Sequence, residues 1–380
     1  MAGIYIHIPF CVRKCLYCDF VSGKGTVKDM EMYVDSLVNE INNTYIEECI
    51  DSVFVGGGTP SILSGKLMEK IFETLNNKFD FDRNCEITIE ANPGTIDENK
   101  LESYLKCGIN RLSIGLQSAD DKELAKLGRI HNYEQFLESY SLAKNKGFTN
   151  INIDLMSALP GQTIESYKDT IDKVLGLNPA HISAYSLIIE EGTFFYDKYN
   201  IDNEKLPAEE RLPSEETERE MYYYTKEALA KKGYFRYEIS NYSKPGFECR
   251  HNLKYWNREN YYGFGVCAAS FVNNRRYRNI SDTKKYISLK GNPDEVREEV
   301  THLTQKEAME EFMFLGLRKI NGVSKEKFKN EFAKDISEVY GNVIEKYKKI
   351  NLIDENDEYI LLTDKGIDVS NIVMSEFLLD

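Results

Sequence analysis

Short apolar runs with β-branched character recur through the first half of the chain. Each is followed by a stretch whose apolar positions return every three or four residues. The runs are GIYIHIP (3–9), SVFVGGG (52–58), EITIEANP (86–93), RLSIGLQS (111–118), INIDLMSALP (151–160) and HISAYSLII (181–189). Between them Val34, Leu37, Val38, Ile41 and Tyr45 share one helical face, as do Ile164, Tyr167, Ile171, Val174 and Leu175. The alternation predicts six βα units, hence a parallel sheet with right-handed crossovers. Six units stop short of the eight that close a full barrel, so the expected α/β fold is an open, partial (β/α)6 barrel. A doubly wound flat sheet has the same periodicity and remains the competing architecture.

After Ile189 the pattern changes. Residues 190–213 are polar and proline-bearing, a helix is predicted over about 214–232, and a Tyr- and Arg-rich β-like stretch follows to about 290. The last segment has helical patterns of its own and then YILLTDKGIDVSNIV (359–373), which reads as strand, turn and helix. The expected organisation is a barrel over 1–200, an extension over 201–295, and a C-terminal winged-helix-like α+β domain over 296–380. Residues 301–380 carry 11 Lys and Arg against 16 Asp and Glu, which argues against DNA reading and for a packing or lid role.

Composition narrows the function. A net charge of −14 disfavours generic nucleic-acid binding, which needs clustered cations. No apolar run reaches the ~18–20 residues of a membrane span. The N-terminal residues lack a secretory pattern, and the expected location is the cytoplasm. In that compartment the eight cysteines read as ligands or buried apolar residues, not disulfides. Cys49, Cys85 and Cys107 stand singly among apolar or helical neighbours and are expected in the core.

The other thiols are grouped. Cys11, Cys15 and Cys18 form C-x3-C-x2-C in the loop after the first strand. Structural zinc usually takes four ligands from paired C-x2-C motifs, and the chain has no second pair. Three thiolates suit an iron–sulfur cubane with one iron left open, at the barrel end where active sites form. A zinc knuckle or unligated loop thiols are the alternatives. GGGTP (56–60) ends the second strand, where glycines let a ligand approach the backbone; alone it is also an ordinary turn. Glu90, Gln117, Arg129 and Asp154 lie at or beyond the ends of apolar strands. Either each has a core partner, or together they face a polar ligand inside the barrel.

These motifs resemble the radical S-adenosylmethionine (SAM) superfamily. There the open iron chelates the amino and carboxylate groups of SAM, and the reduced cluster cleaves its sulfonium. YIHIPFC, GGGTPS, EANPG, RLSIGLQS, NIDLMSALPGQT and HNLKYW together resemble oxygen-independent coproporphyrinogen III oxidases and their relatives, the HemW heme chaperones, over nearly the whole chain. The resemblance implies a [4Fe–4S] cluster on Cys11, Cys15 and Cys18, with SAM contacts at Tyr5, Gly57, Gly58, Thr59, Glu90, Gln117, Arg129 and Asp154. Oxidases of this group can hold a second SAM, so some of these matches belong either to that site or to none here. An electron donor for the cluster is implied as well.

Phe20 separates the two branches. The oxidase pattern continues with a fourth cysteine at this position, whereas the chaperone branch reads CDF, as here. The short segment ahead of the cysteines agrees. The resemblance therefore implies an intact radical SAM site, heme as cargo, and a protein acceptor. Oxidative decarboxylation of a porphyrinogen is the alternative, and a third is another radical SAM reaction. Phe20 as a simple apolar substitution is the bland reading. In HNLKYW (251–256), His251 is a candidate axial ligand for heme iron, with Tyr255 and Trp256 against the macrocycle. Arg275, Arg276 and Arg278 are candidate propionate partners, against a solvated basic strand. Where relatives commonly carry glycine and histidine, GFGVCAASF (263–271) carries Cys267 and Ala269. Cys267 is expected as a small buried residue, with a replacement soft ligand as the alternative.

Overall fold

The structure is a computed structural model, and it describes residues 1–199 and 203–379. Six parallel strands form its centre: β1 (Ala2–Ile8), β2 (Ile50–Gly57), β3 (Phe81–Ala91), β4 (Arg111–Gln117), β5 (Asn150–Ser157) and β6 (His181–Ser186). They pair in sequential order with helices between them, which is the partial-barrel layout rather than the doubly wound one.

Both edges are extended by later chain. β7 (Phe235–Arg236) and β8 (Asn241–Ser243) lie beyond β6. On the other side β9 (Tyr261–Phe264) runs parallel to β1, followed by β10 (Ala269–Val272), β11 (Arg275–Asn279) and β12 (Arg297–His302) in antiparallel meander. Covering both edges of the barrel sheet removes two open templates for mispairing. The β-like reading of 233–290 needs two corrections. HNLKYW lies on a helix, Arg250–Trp256, whose buried positions His251 and Lys254 fall three apart, and Thr283–Ser288 is a second helix in this stretch.

The helix Val27–Asn43 shows how sequence sets the packing. Thr26 and Asp29 form a reciprocal capping box, worth about 1 kcal/mol. Val34, Leu37 and Ile41 are buried against the sheet and Val38 is partly buried. Tyr45 falls beyond the helix end and is exposed, so the predicted face stops one turn earlier. Cys85 and Cys107 are buried as expected, while Cys49 is half-buried.

Glu40 on this helix reaches into the extension. Its carboxylate accepts from Tyr286 Oη at 2.5 Å, Gly265 N at 2.8 Å and Asn279 Nδ2 at 2.7 Å. Burial pushes the carboxyl up to about 7, with those donors opposing. The native state therefore keeps a proton that the unfolded chain releases above its ordinary value of 4.5. Stability on this account is full at low pH and falls as pH rises toward and through 7, by on the order of 3 kcal/mol. Urea unfolding at pH 5 and pH 8 should show that loss in wild type and a flatter response in Glu40→Gln. Equal slopes in both proteins would remove Glu40 from the account.

The C-terminal unit has its own core, built around Phe312, Phe328, Phe332 and Tyr340. Helices Gln305–Gly316, Lys325–Phe332 and Ile336–Lys349 pack on an antiparallel sheet of Val323–Ser324, Ile353–Glu355 and Tyr359–Leu362. That order of helices and strands is the winged-helix arrangement. Among the described residues, no helix is long and apolar enough to cross a membrane.

Candidate functional site

The chain leaves β1 into an irregular loop that is nonetheless tied down. Cys11 N donates to Gly23 O and Gly23 N to Pro9 O, both at 2.9 Å, and Leu16 N donates to Leu127 O at 3.0 Å. This brings Cys11, Cys15 and Cys18, all half-buried, onto one cavity of about 140 Å³. Two donors reach the sulfurs: Thr59 Oγ1 to Cys11 at 3.4 Å and Arg129 Nη1 to Cys15 at 3.6 Å. Burial pushes the Cys18 thiol up to about 11, so a ligand role requires metal to displace its proton. Among the described residues no three Cys, His, Asp or Glu side chains converge as a ready single-ion site.

Opposite the thiols runs the glycine segment at the end of β2. Gly57 has φ +111°, open to glycine and costly for other residues. A Cβ on Gly58 would lie 2.8 Å from Phe10 O and 3.0 Å from Cys11 Sγ, so the bare backbone is what leaves room beside the loop. Gly57 N donates to Glu90 Oε2 at 3.2 Å. Glu90 is pushed up to about 8 by burial and by Asp154, and Asp154 is itself raised by burial. Asn152 Nδ2 donates to Asp154 at 2.7 Å and Ser113 Oγ at 3.2 Å. Gln117 holds a left-handed φ of +73° at the end of β4, a strained conformation for a residue with a side chain. Arg129 Nη2 donates to Asn92 Oδ1 at 2.8 Å and Gly115 O at 2.6 Å, while its Nε is buried without a partner.

Gly57, Gly58, Thr59, Glu90, Gln117, Arg129 and Asp154 thus line the same cavity as the thiols. Tyr5 does not: its hydroxyl pairs with His7 Nδ1 at 3.1 Å, and it opens onto a neighbouring cavity. Sequence reasoning missed Asn92, which joins Thr59 to Arg129, and Tyr185, whose hydroxyl donates to Gln117 at 3.1 Å. Both signals were present, a polar residue before Pro93 and a tyrosine near the end of β6. Soft thiols, a backbone cradle that a Cβ would fill, and an unpartnered guanidinium nitrogen together fit a cluster with SAM beside it.

The neighbouring cavity is larger, about 620 Å³. One wall comes from the helix Arg250–Trp256, whose first N–H groups are capped from outside. Glu86 on β3 accepts from Arg250 N and His251 N, each at 3.2 Å. His251 is fully buried behind this wall, Nδ1 paired with Ser52 Oγ at 2.9 Å and Nε2 with Tyr255 Oη at 2.8 Å. Burial pushes its pKa down to about 3, with the Lys254 and Arg111 charges adding to the effect. Both ring nitrogens are engaged and neither faces a cavity, so the structure does not present His251 as an axial ligand.

Its neighbours do face the space. Tyr255 and Trp256 line the larger cavity, as do Arg276 and Arg278 on β11. Arg275 points to the other face of the same strand, as alternation requires, and lines a separate surface pocket with Tyr277. Cys267 corrects the buried expectation. It is partly exposed on the larger cavity, with a left-handed φ of +58°. Phe20 borders both cavities and is 58% exposed.

A thiol-bearing loop over the C-terminal ends of a partial barrel is the layout of the radical SAM class. Residues 5–174 match the family model of the Radical SAM superfamily, and residues 303–369 match the HemN C-terminal domain. The structure titled as coproporphyrinogen III oxidase (HemN) from Escherichia coli superposes with a TM-score of 0.86. It covers 99% of this chain and 90% of that one at 22% identity, a likeness of fold. The heme chaperone HemW of Lactococcus lactis is 39% identical over 376 residues, covering 99% of this chain and 97% of that protein. HemW of Bacillus subtilis is 36% identical over 385 residues, covering 100% and 99%. The chain belongs to the HemW family of heme chaperones, within the radical SAM superfamily.

Proposed function

We propose that the protein is a cytoplasmic heme chaperone that binds heme and passes it to an acceptor protein. It carries a [4Fe–4S] cluster on Cys11, Cys15 and Cys18, with SAM beside it. The observation that carries this reading over the oxidase is Phe20. An apolar ring, not a thiol, stands where the two cavities meet. Phe20, which borders both cavities, has no sulfur to relay electrons or protons to a porphyrinogen.

The residues around the thiols divide the work. A reduced cluster, when bound, supplies an electron to the SAM sulfonium. The Gly57–Gly58 backbone leaves room for the zwitterionic end of SAM. Arg129 offers its charge to the carboxylate, and Glu90 and Asp154 offer carboxyls to donor groups. Glu90→Gln and Asp154→Asn should each weaken SAM binding about tenfold, with iron content unchanged. Calorimetry on the reconstituted protein measures this, and wild-type affinity in both variants would return the two carboxyls to a structural role.

Parallel assays on anaerobically reconstituted protein test the function itself. The expected result is saturable heme binding with no loss of carboxylates from coproporphyrinogen III. Turnover of the porphyrinogen with SAM consumed in step would establish the oxidase reading.

A further inference from the structure

The larger cavity has the build of a site for a flat, partly anionic ligand. Its volume of about 620 Å³ lies within the roughly 300–1,000 Å³ of small-molecule sites. Tyr5, Tyr255, Trp256, Tyr261 and Phe271 supply aromatic walls. Tyr255 and Tyr261 meet edge to face at 4.6 Å, and Trp256 Nε1 is buried with no hydrogen-bond partner. Three arginines also line it, and they are not equivalent. Arg258 is committed to the protein, bonding Glu311, Glu331 and Asn274. Arg276 shares Glu311 with it. Arg278 has one exposed partner, Glu299 at 2.5 Å, and an unpaired Nε. An exposed ion pair of this kind contributes about 0–1 kcal/mol, so an incoming carboxylate displaces it at little cost.

Cys267 stands on the same cavity beside Arg278. Its sulfur makes no hydrogen bond among the described residues, and its backbone holds a conformation that costs a residue with a Cβ about 1 kcal/mol or more. We propose that this cavity is the heme site, with Cys267 supplying an axial sulfur to the iron and Arg278 receiving a propionate. The proposal rests on the heme-chaperone reading and replaces His251 as the ligand. Binding ferric heme there forms one Fe–S bond, releases the thiol proton to solvent and transfers no electron. His251 acts at one remove, by fixing the hydroxyl of Tyr255.

The test is titration of the reconstituted full-length protein with hemin, followed by absorption and paramagnetic resonance. Wild type should show a ferric spectrum of thiolate type and, when reduced under carbon monoxide, a red-shifted Soret band. Cys267→Gly suits the left-handed backbone and should fold; it should lose both signatures and bind about tenfold more weakly. Arg278→Gln should weaken binding several-fold with the spectrum unchanged in type, and Arg275→Gln should do neither. Heme bound by Cys267→Gly with wild-type spectrum and affinity would overturn this site while leaving a heme chaperone. A wild-type protein that binds no heme would overturn both.

Discussion

Replacing Cys15 by alanine should leave a folded protein that gains no iron–sulfur chromophore on anaerobic reconstitution. The loop is held by backbone bonds at Cys11, Leu16 and Gly23, none of which uses the thiol. The fold should therefore survive, since the Cys15 sulfur accepts a single weak hydrogen bond, from Arg129 Nη1. The donor set has no spare. Of the remaining cysteines, Cys85, Cys107 and Cys249 are buried and Cys267 opens on the other cavity. Cys49 precedes β2, at the end of the strand away from the thiol loop. Cys11→Ala and Cys18→Ala should behave alike, each with iron content down roughly tenfold or more. Cys85→Ala and Cys107→Ala should reconstitute as wild type. Iron and sulfide near wild-type levels in Cys15→Ala would sink the cluster assignment.

The second large effect is expected at His251, and its character matters more than its size. His251→Ala opens a void between Phe54 and Tyr255, whose rings lie 5.5 and 5.1 Å from the imidazole. It also strips Ser52 Oγ and Tyr255 Oη of their partner. A loss of about 2–4 kcal/mol in unfolding free energy should follow. Heme should bind more weakly because Tyr255 is freed, but the ferric spectrum should keep its type. If the alanine variant instead converts the spectrum from one ligation class to another, His251 binds iron directly after a rearrangement of this wall. Unfolding followed by circular dichroism and a hemin titration separate the two.

The barrel strands were legible because apolar runs and helical periodicity are local. GIYIHIP and HISAYSLII read as strands from their own residues. The cysteine loop was equally plain, since three thiols in eight positions need no tertiary information. His251 was not legible in the same sense. A histidine beside tyrosine and tryptophan suggests a ligand site, and nothing local says that Ser52, far away in sequence, occupies its second nitrogen. The arginines show the same limit at finer scale. Whether Arg275 or Arg276 faces the cavity depends on how β11 registers on β10 and β12, which is settled across strands. Cys267 was misjudged because its exposure follows from a left-handed turn that composition does not reveal.

The pairing of β1 with β9 has a consequence for synthesis. Gly3 to Ile6 hydrogen-bond along residues 261–264, so one side of β1 stays unpaired until more than half the chain has been translated. β2 can join its other side early, after some fifty residues. During the interval the nascent barrel carries an open parallel edge, while the backbone partners of the thiol loop, Gly23, Leu127 and Phe195, all precede the missing strand. Cluster insertion can thus precede the larger cavity, which cannot exist until residues 255–278 arrive to close it. A ribosome-bound chain stalled before Tyr261 should take up iron and sulfide yet leave hemin in solution, and its exposed edge is where a holding chaperone would act.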